Sequence, residues 1–227
     1  MTTTAVLLTT LALLPFVGSV LASFLPTNAR NAAAALAGTV TVAGLAITIA
    51  LYRAFRQGVV IRHEIEWLPS LGLNLVLRLD GLSWVFCILI MGIGALVVLY
   101  ARYYMSPNDP VPRFFTLLLA FMGAMLGIVI SGNLMQLVFF WELTSLFSFL
   151  LIGYWYHNAN ARDGARMALT VTSLGGFCLL FGVIIIGRVV GSYDVDIVLA
   201  SGVAIQSSPY FAPALILILV GVFSKSA

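Results

Sequence analysis

Two side chains in this sequence have the chemistry to carry a proton through apolar surroundings. Glu142 lies in the stretch "FFWELTSLF" at 139–147, and Lys225 lies in "GVFSKSA" at 221–227. A charge at the centre of a membrane span opposes insertion by a few kcal/mol, so an intramembrane carboxylate reads first as a functional group. Lys225 is the single lysine among the eleven basic residues, the other ten being arginines at or near predicted span ends or in loops. A guanidinium keeps its proton under almost all conditions, whereas a desolvated ammonium can release one and take it back. A nearby carboxylate favours the charged amine, and weakening that attraction frees the proton, so Glu142 and Lys225 form a candidate coupled pair. The plainer reading of Lys225 is a side chain that snorkels from a span end. Thr144, Ser145 and Ser148 follow Trp141 at helical spacings of 3, 4 and 7, which gives the same helix a hydroxyl-bearing face beside the acid. Those hydroxyls fit either the lining of a hydrated path or a seam of small residues between packed helices.

These residues need elements that hold them inside a bilayer, and the composition supplies them. The 227-residue chain is 62% hydrophobic and 8% charged, far below the charged fraction of a soluble domain, which is about a quarter. Its apolar residues fall in blocks, as repeated crossings require. Uncharged runs place spans at about Ala5–Leu25, Ala32–Tyr52 and Leu82–Tyr103. The next 43 residues, Phe114–Tyr156, carry no charge but Glu142. One helix of that length would be roughly 64 Å long, about twice the hydrocarbon thickness, so the run must fold back on itself. The break is predicted at "SGN", 131–133, giving spans at about Phe114–Ile130 and Leu134–Tyr156. A sixth is expected at about Met167–Gly187, and a seventh begins near Pro213 and is cut short, as in a fragment of a longer protein. The first span has no preceding Lys or Arg and is long, which favours an uncleaved helix over a signal peptide. The reading is an all-α polytopic membrane protein with about 6.5 transmembrane helices, forming one transmembrane domain over residues 1–227.

One segment has a different period. In "VVIRHEIEWLPSLGLNLVLRLDG", Val59, Ile61, Ile65 and Trp67 alternate with Val60, Arg62, Glu64 and Glu66, and leucines then recur at 71, 73, 75, 77 and 79. Period two predicts a β-hairpin, placed at 57–80 between the second and third helices. An open sheet edge is not viable in hydrocarbon, so the hairpin belongs at an aqueous face, as a surface cap or as a contact for a neighbouring subunit. Orientation is balanced: Arg30, Arg102, Arg113, Arg162 and Arg166 stand against Arg53, Arg56, Arg62, Arg78 and Arg188. Weighting short loops favours the first set facing the cytoplasm. Tyr100, Tyr103 and Tyr104 end one span and Tyr154, Trp155 and Tyr156 another, as interfacial belts do. Cys87 and Cys178 fall inside spans without CxxC spacing and read as packing residues. No cofactor is expected, since the sequence shows no cysteine cluster, nucleotide-binding glycine loop or haem ligand set. No nucleic-acid partner is expected either.

"FFWELTSLFSFLLIGYWY" followed by "ARDGARMALTVTSLGG", together with "LDGLSW" and "GVFSKSA", resembles the large A subunit of the multisubunit Mrp-type monovalent cation/proton antiporters. The resemblance runs from about Trp67 to Ala227. It belongs to a superfamily that also holds the proton-pumping membrane subunits of respiratory NADH:quinone oxidoreductase. The resemblance implies that Glu142 and Lys225 are a proton-relay pair, the lysine on a broken seventh span, within an inverted repeat of five-helix units. It implies a transporter subunit rather than an enzyme, working with other membrane subunits on H+ and a monovalent cation, Na+ in the first instance. It also implies a plasma-membrane location, with the hairpin on the outer face. Two alternatives stay open: a complex I-like redox-driven pump subunit, and a packing subunit without a relay, to which small-residue motifs such as "GAMLG" at 123–127 would be suited.

Overall fold

A computed structural model describes residues 3–55, 60–68, 73–106 and 109–226. The chain forms α1 (Thr3–Ser23), α2 (Arg30–Phe55), β1 (Ile61–Leu68), β2 (Leu73–Leu79), α3 (Gly81–Tyr104), α4 (Val111–Val129), α5 (Leu134–Ile152), α6 (Ala159–Val190), α7 (Val195–Ala200), α8 (Gly202–Ser207) and α9 (Phe211–Phe223). Among the described residues six helices, α1 to α6, are long and apolar enough to cross a membrane, and α9 is a shorter apolar helix. The expected six spans and partial seventh are therefore present. The chain divides into two compact units, Met1–His63 with Leu77–Ile130 and Glu64–Val76 with Ser131–Ala227.

In the first unit α1 packs against α2 and α4, and α3 against α2 and α4. The approach is close because glycine stands where a side chain would collide. A Cβ on Gly123 would lie 2.9 Å from the Phe16 ring, and one on Gly18 would lie 2.6 Å from Val40 Cγ2. Leu8, Leu11, Met91, Phe115, Leu119 and Leu126 fill the interior. Buried hydroxyls here bond to backbone: Thr41 to Ala37 O, Thr48 to Gly44 O, and Ser19 across to Thr116 O at 2.8 Å. Asp80 starts α3, its Oδ1 accepting from Ser83 N at 2.8 Å while Arg78 Nη1 donates to Oδ2 at 2.5 Å. Burial alone would raise the Asp80 carboxyl, but the Ser83 amide and the Arg78 guanidinium outweigh it and hold the group below the ordinary carboxylate range.

The two strands pair as an antiparallel hairpin. Val59, Pro69, Ser70 and Leu71 of the expected alternation lie outside the described residues. The alternation predicts a single leucine face on the second strand, whereas Val76, of opposite parity, is buried as deeply as Leu77 and Leu79. The reason lies in the 131–133 break. Gly132 N donates to Val76 O, and Val76 N donates to Gln136 Oε1, each at 2.8 Å, so the strand is pinned where the chain re-enters a helix.

Around that break the second unit is stitched by main chain. Leu134 N donates to Tyr193 O at 2.8 Å and Val195 N to Gly132 O at 3.0 Å, and Asn133 pairs with Asp194 in an isolated bridge. Asn133 caps α5 by accepting from Met135 N and Gln136 N, and Asp194 caps α7 in the same way. From there α5 and α9 both pack on α6, around Val138, Leu179 and Val183. α6 has 32 residues, about 48 Å at 1.5 Å per residue, so it outruns the hydrocarbon. It begins eight residues before the expected Met167 because a polar helical stub precedes the apolar run. It ends at Gly191, whose φ of 79° is the left-handed cap that glycine adopts without strain. α5 stops at Ile152 rather than at Tyr156 because Gly153 caps it. Of the aromatic clusters, Tyr100, Tyr103, Tyr104, Trp155 and Tyr156 are exposed while Tyr154 is buried. The two cysteines are free thiols, Cys87 buried in α3 and Cys178 half-buried in α6.

Candidate functional site

The site is built on α5. That helix has 19 residues, about 28 Å, and Glu142 is its ninth, so the carboxylate sits near the midpoint of a membrane-length element. Its side chain runs toward α6, where residue 176 is glycine. A Cβ at that position would overlap Glu142 Oε1, so the carboxylate occupies a slot that only a missing side chain provides. Oε1 is buried and has no hydrogen bond. A buried, unsatisfied carboxylate oxygen is energetically unfavourable, and water or a proton is the natural way to satisfy it.

Lys225 reaches the same stretch of α5 from the turn that follows α9. Ser224 N donates to Val220 O and Lys225 N to Val222 O, which carries the lysine past the helix end at Phe223. Its side chain is half-buried. Nζ donates to the Trp141 carbonyl and, at 2.5 Å, to Thr144 Oγ1. It also lies 4.7 Å from the centre of the Trp141 ring, within cation–π range. No ion pair joins Lys225 to Glu142 among the described residues, yet each is near enough to feel the other's charge.

The structure thus brings together the two residues that the sequence singled out, and it divides the hydroxyl face. Thr144 is 2% exposed and its Oγ1 donates to Trp141 O at 2.7 Å while accepting from Lys225. Ser145, also buried, makes a longer bond of 3.4 Å to the same carbonyl. Ser148 is only half-buried. One contributor was not singled out from sequence: Gly176 was signalled only by the doublet in "SLGG". Trp141 was named there only as the origin of the hydroxyl spacing, and its ring and carbonyl now meet Lys225. No group of His, Cys, Asp and Glu residues that could hold a metal is found among the described residues.

Six helices long and apolar enough to cross a membrane, with a carboxylate midway along one of them and a lysine just beyond a short helix, define the class: a polytopic helical membrane protein. The family model described as "NADH:quinone oxidoreductase/Mrp antiporter, TM" matches residues 131–227, and that described as "NADH-Ubiquinone oxidoreductase (complex I), chain 5 N-terminus" matches 67–115. The chain is 55% identical over 221 residues to the A/B subunit of a probable K(+)/H(+) antiporter of Rhizobium meliloti, covering 97% of this chain and 22% of that protein. It is 45% identical over 171 residues to the A subunit of the Na(+)/H(+) antiporter of Alkalihalophilus pseudofirmus, covering 75% of this chain and 21% of the relative. The Mrp complex of a Dietzia species has a chain that superposes with a TM-score of 0.79 at 30% identity, over 99% of this chain and 24% of its own. A chain of an archaeal membrane-bound sulfane sulfur reductase superposes at 0.76 with 20% identity, a likeness of fold. This chain belongs to the antiporter-like family of membrane subunits shared by Mrp antiporters and NADH:quinone oxidoreductases. It spans about a fifth of the length of the curated relatives it matches.

Proposed function

We propose that this chain is the proton-handling part of the A subunit of a multisubunit monovalent cation/proton antiporter, with Glu142 and Lys225 as its relay pair. The observation that carries the reading is Glu142 at the midpoint of α5, half-buried, with its Oε1 buried and unpartnered in a slot made by Gly176 and a lysine within electrostatic reach. In this reading the proton passes between the carboxylate and the amine, whose charge states are linked by their mutual field. Other membrane subunits of the antiporter are its partners, the lipid bilayer surrounds it, and the exchanged ions are H+ and Na+ or another monovalent cation. Residues 1–227 act as one transmembrane domain in a bacterial plasma membrane, with the hairpin at 57–80 on the outer face.

The redox-driven alternative draws its support from the family description alone, whereas the relatives of 55% and 45% identity carry antiporter names. The experiment is cation-driven collapse of a pH gradient in everted vesicles carrying the full-length complex, with Na+ and K+ compared. Glu142→Gln is expected to lower the rate about a hundredfold, the scale of one positioned proton-transfer group. Unchanged exchange in that variant would end the relay reading.

A further inference from the structure

We propose that Thr144 is a positioning residue for Lys225, its hydroxyl forming a resting station in which the ammonium is held off Glu142. The proposal rests on the relay reading above and adds to it a second, defined position for the lysine.

The geometry is that of a station rather than of chance contact. Lys225 Nζ lies at hydrogen-bonding distance from two acceptors on one turn of α5, Thr144 Oγ1 and the Trp141 carbonyl, and it sits over the Trp141 ring. The threonine hydrogen points to Trp141 O, which leaves a lone pair on Oγ1 for the ammonium. The hydroxyl is thereby locked as an acceptor toward Nζ. Thr144 is fully buried, so water does not compete for that lone pair from the outside. The arrangement leaves the Glu142 carboxylate without the hydrogen bond that Lys225 could have given it. An ammonium bound by neutral acceptors, with the carboxylate nearby but unbridged, is one of the two states that an alternating relay needs. Direct contact with Glu142 is the other.

The charged and titratable groups around Lys225 are few among the described residues. From α5 the field comes from Glu142. α6, packed on α9, carries Cys178 along its apolar length, with Arg162, Asp163, Arg166 and Arg188 toward its two ends. At the level of Lys225 it presents Gly175, close against Ser224, and Gly176. α9 has no titratable side chain. Proton release from Lys225 is therefore governed by Glu142 and by the acceptors of the station.

The test uses the full-length antiporter complex in everted vesicles, with the pH profile of exchange as the readout. Removing the Oγ1 acceptor favours the neutral amine, because the hydrogen bond from an ammonium is stronger than that from the neutral amine. Thr144→Val, which keeps the shape, is expected to move the profile toward acid by about one pH unit, a tenfold change in proton affinity. Thr144→Ala, which removes the hydroxyl without adding bulk, should move it in the same direction, and Thr144→Ser should restore the wild-type profile. Val and Ala profiles that superimpose on wild type would overturn the proposal. So would a Ser variant as defective as Val, since that marks a packing role. Glu142→Gln in the same vesicles separates the two levels of inference. If it still exchanges at the wild-type rate the relay reading falls and the station with it, whereas loss of exchange in Glu142→Gln beside unshifted Thr144 variants removes the station alone.

Discussion

The helices of the first unit and α5 of the second treat buried polarity differently. In the first, each polar side chain discussed above has its partner close by: Thr41 and Thr48 bond one turn back, Ser19 bonds to Thr116 O, and Asp80 takes the Ser83 amide and the Arg78 guanidinium. In the second, Gln136 Nε2, Trp141 Nε1 and Glu142 Oε1 are buried with no hydrogen bond, all three on α5. Membrane helices tolerate satisfied hydroxyls as part of packing, because such groups make no further demand on their surroundings. Unsatisfied groups inside a bundle must find water, an ion or a moving side chain, and a helix that gathers three of them is organised for something other than cohesion. Two glycines mark the same difference. Gly18 and Gly123 of the first unit admit apolar neighbours, Val40 and Phe16, as Gly182 of the second admits Ile218, whereas Gly175 and Gly176 admit Ser224 and the Glu142 carboxylate.

The sharpest way to break this contrast is to make Lys225 incapable of losing its proton. Lys225→Arg retains the positive charge but holds it at all working pH values. Exchange in the intact complex should fall about a hundredfold while assembly, read by size-exclusion chromatography, stays the same. Exchange at the wild-type rate would mean that α5 and Lys225 are as structural as the first unit.

Next in size is Gly176→Ala. The new methyl meets the far end of a flexible side chain, so the fold can absorb it by moving the Glu142 carboxylate. If Glu142 is the proposed relay group, its displacement lowers the rate steeply, and a decrease of about tenfold is expected with little change in thermal stability. Gly123→Ala is the matched control in the first unit. There the methyl meets the Phe16 ring, whose relocation disturbs helix packing, and stability should fall by about 1–3 kcal/mol while exchange per assembled complex holds. If Gly176→Ala lowers thermal stability as much as Gly123→Ala does and leaves the rate alone, the two glycine seams are equivalent and the contrast fails.

Much of this was legible in the sequence, for identifiable reasons. The six spans came from hydropathy, because the bilayer imposes a length and disfavours charge, and the 131–133 break came from length, which required a fold-back, together with the turn residues that located it. The helical stub of α6 before Met167 was not legible, since hydropathy reports where hydrocarbon is and not where a helix ends. The short helices α7 and α8 were missed because six residues are too few to show a period. Glu142 and Lys225 stood out by their rarity in an apolar chain. That Lys225 would find Thr144 and the Trp141 carbonyl could not be read, because it depends on how α5 and α9 meet on α6, and spacing along one helix carries no such information.

The smallest effect expected concerns the other well-placed carboxylate. Asp80 is held below the ordinary carboxylate range despite its burial, so the sign is that of a depressed acid. Its contribution to folding is fully present above the ordinary carboxylate pKa, about 4, and is lost as pH falls through the lower folded-state value. Asp80→Ala removes both the α3 cap and the partner of Arg78 and should cost about 1 kcal/mol near neutral pH. Asp80→Asn keeps a capping oxygen for Ser83 and loses only the charge, so its deficit should be smaller, because ion pairs that keep some solvent exposure are worth little. In thermal melts of the purified complex, both deficits should be constant from pH 8 to about 5 and shrink below about 4, as the wild-type carboxyl takes up its proton. A wild-type advantage over Asn that grows on acidification would mean that Asp80 is stabilised as the neutral acid. In that case the first unit too would hold a carboxylate whose charge its surroundings do not satisfy, and Glu142 would lose its contrast.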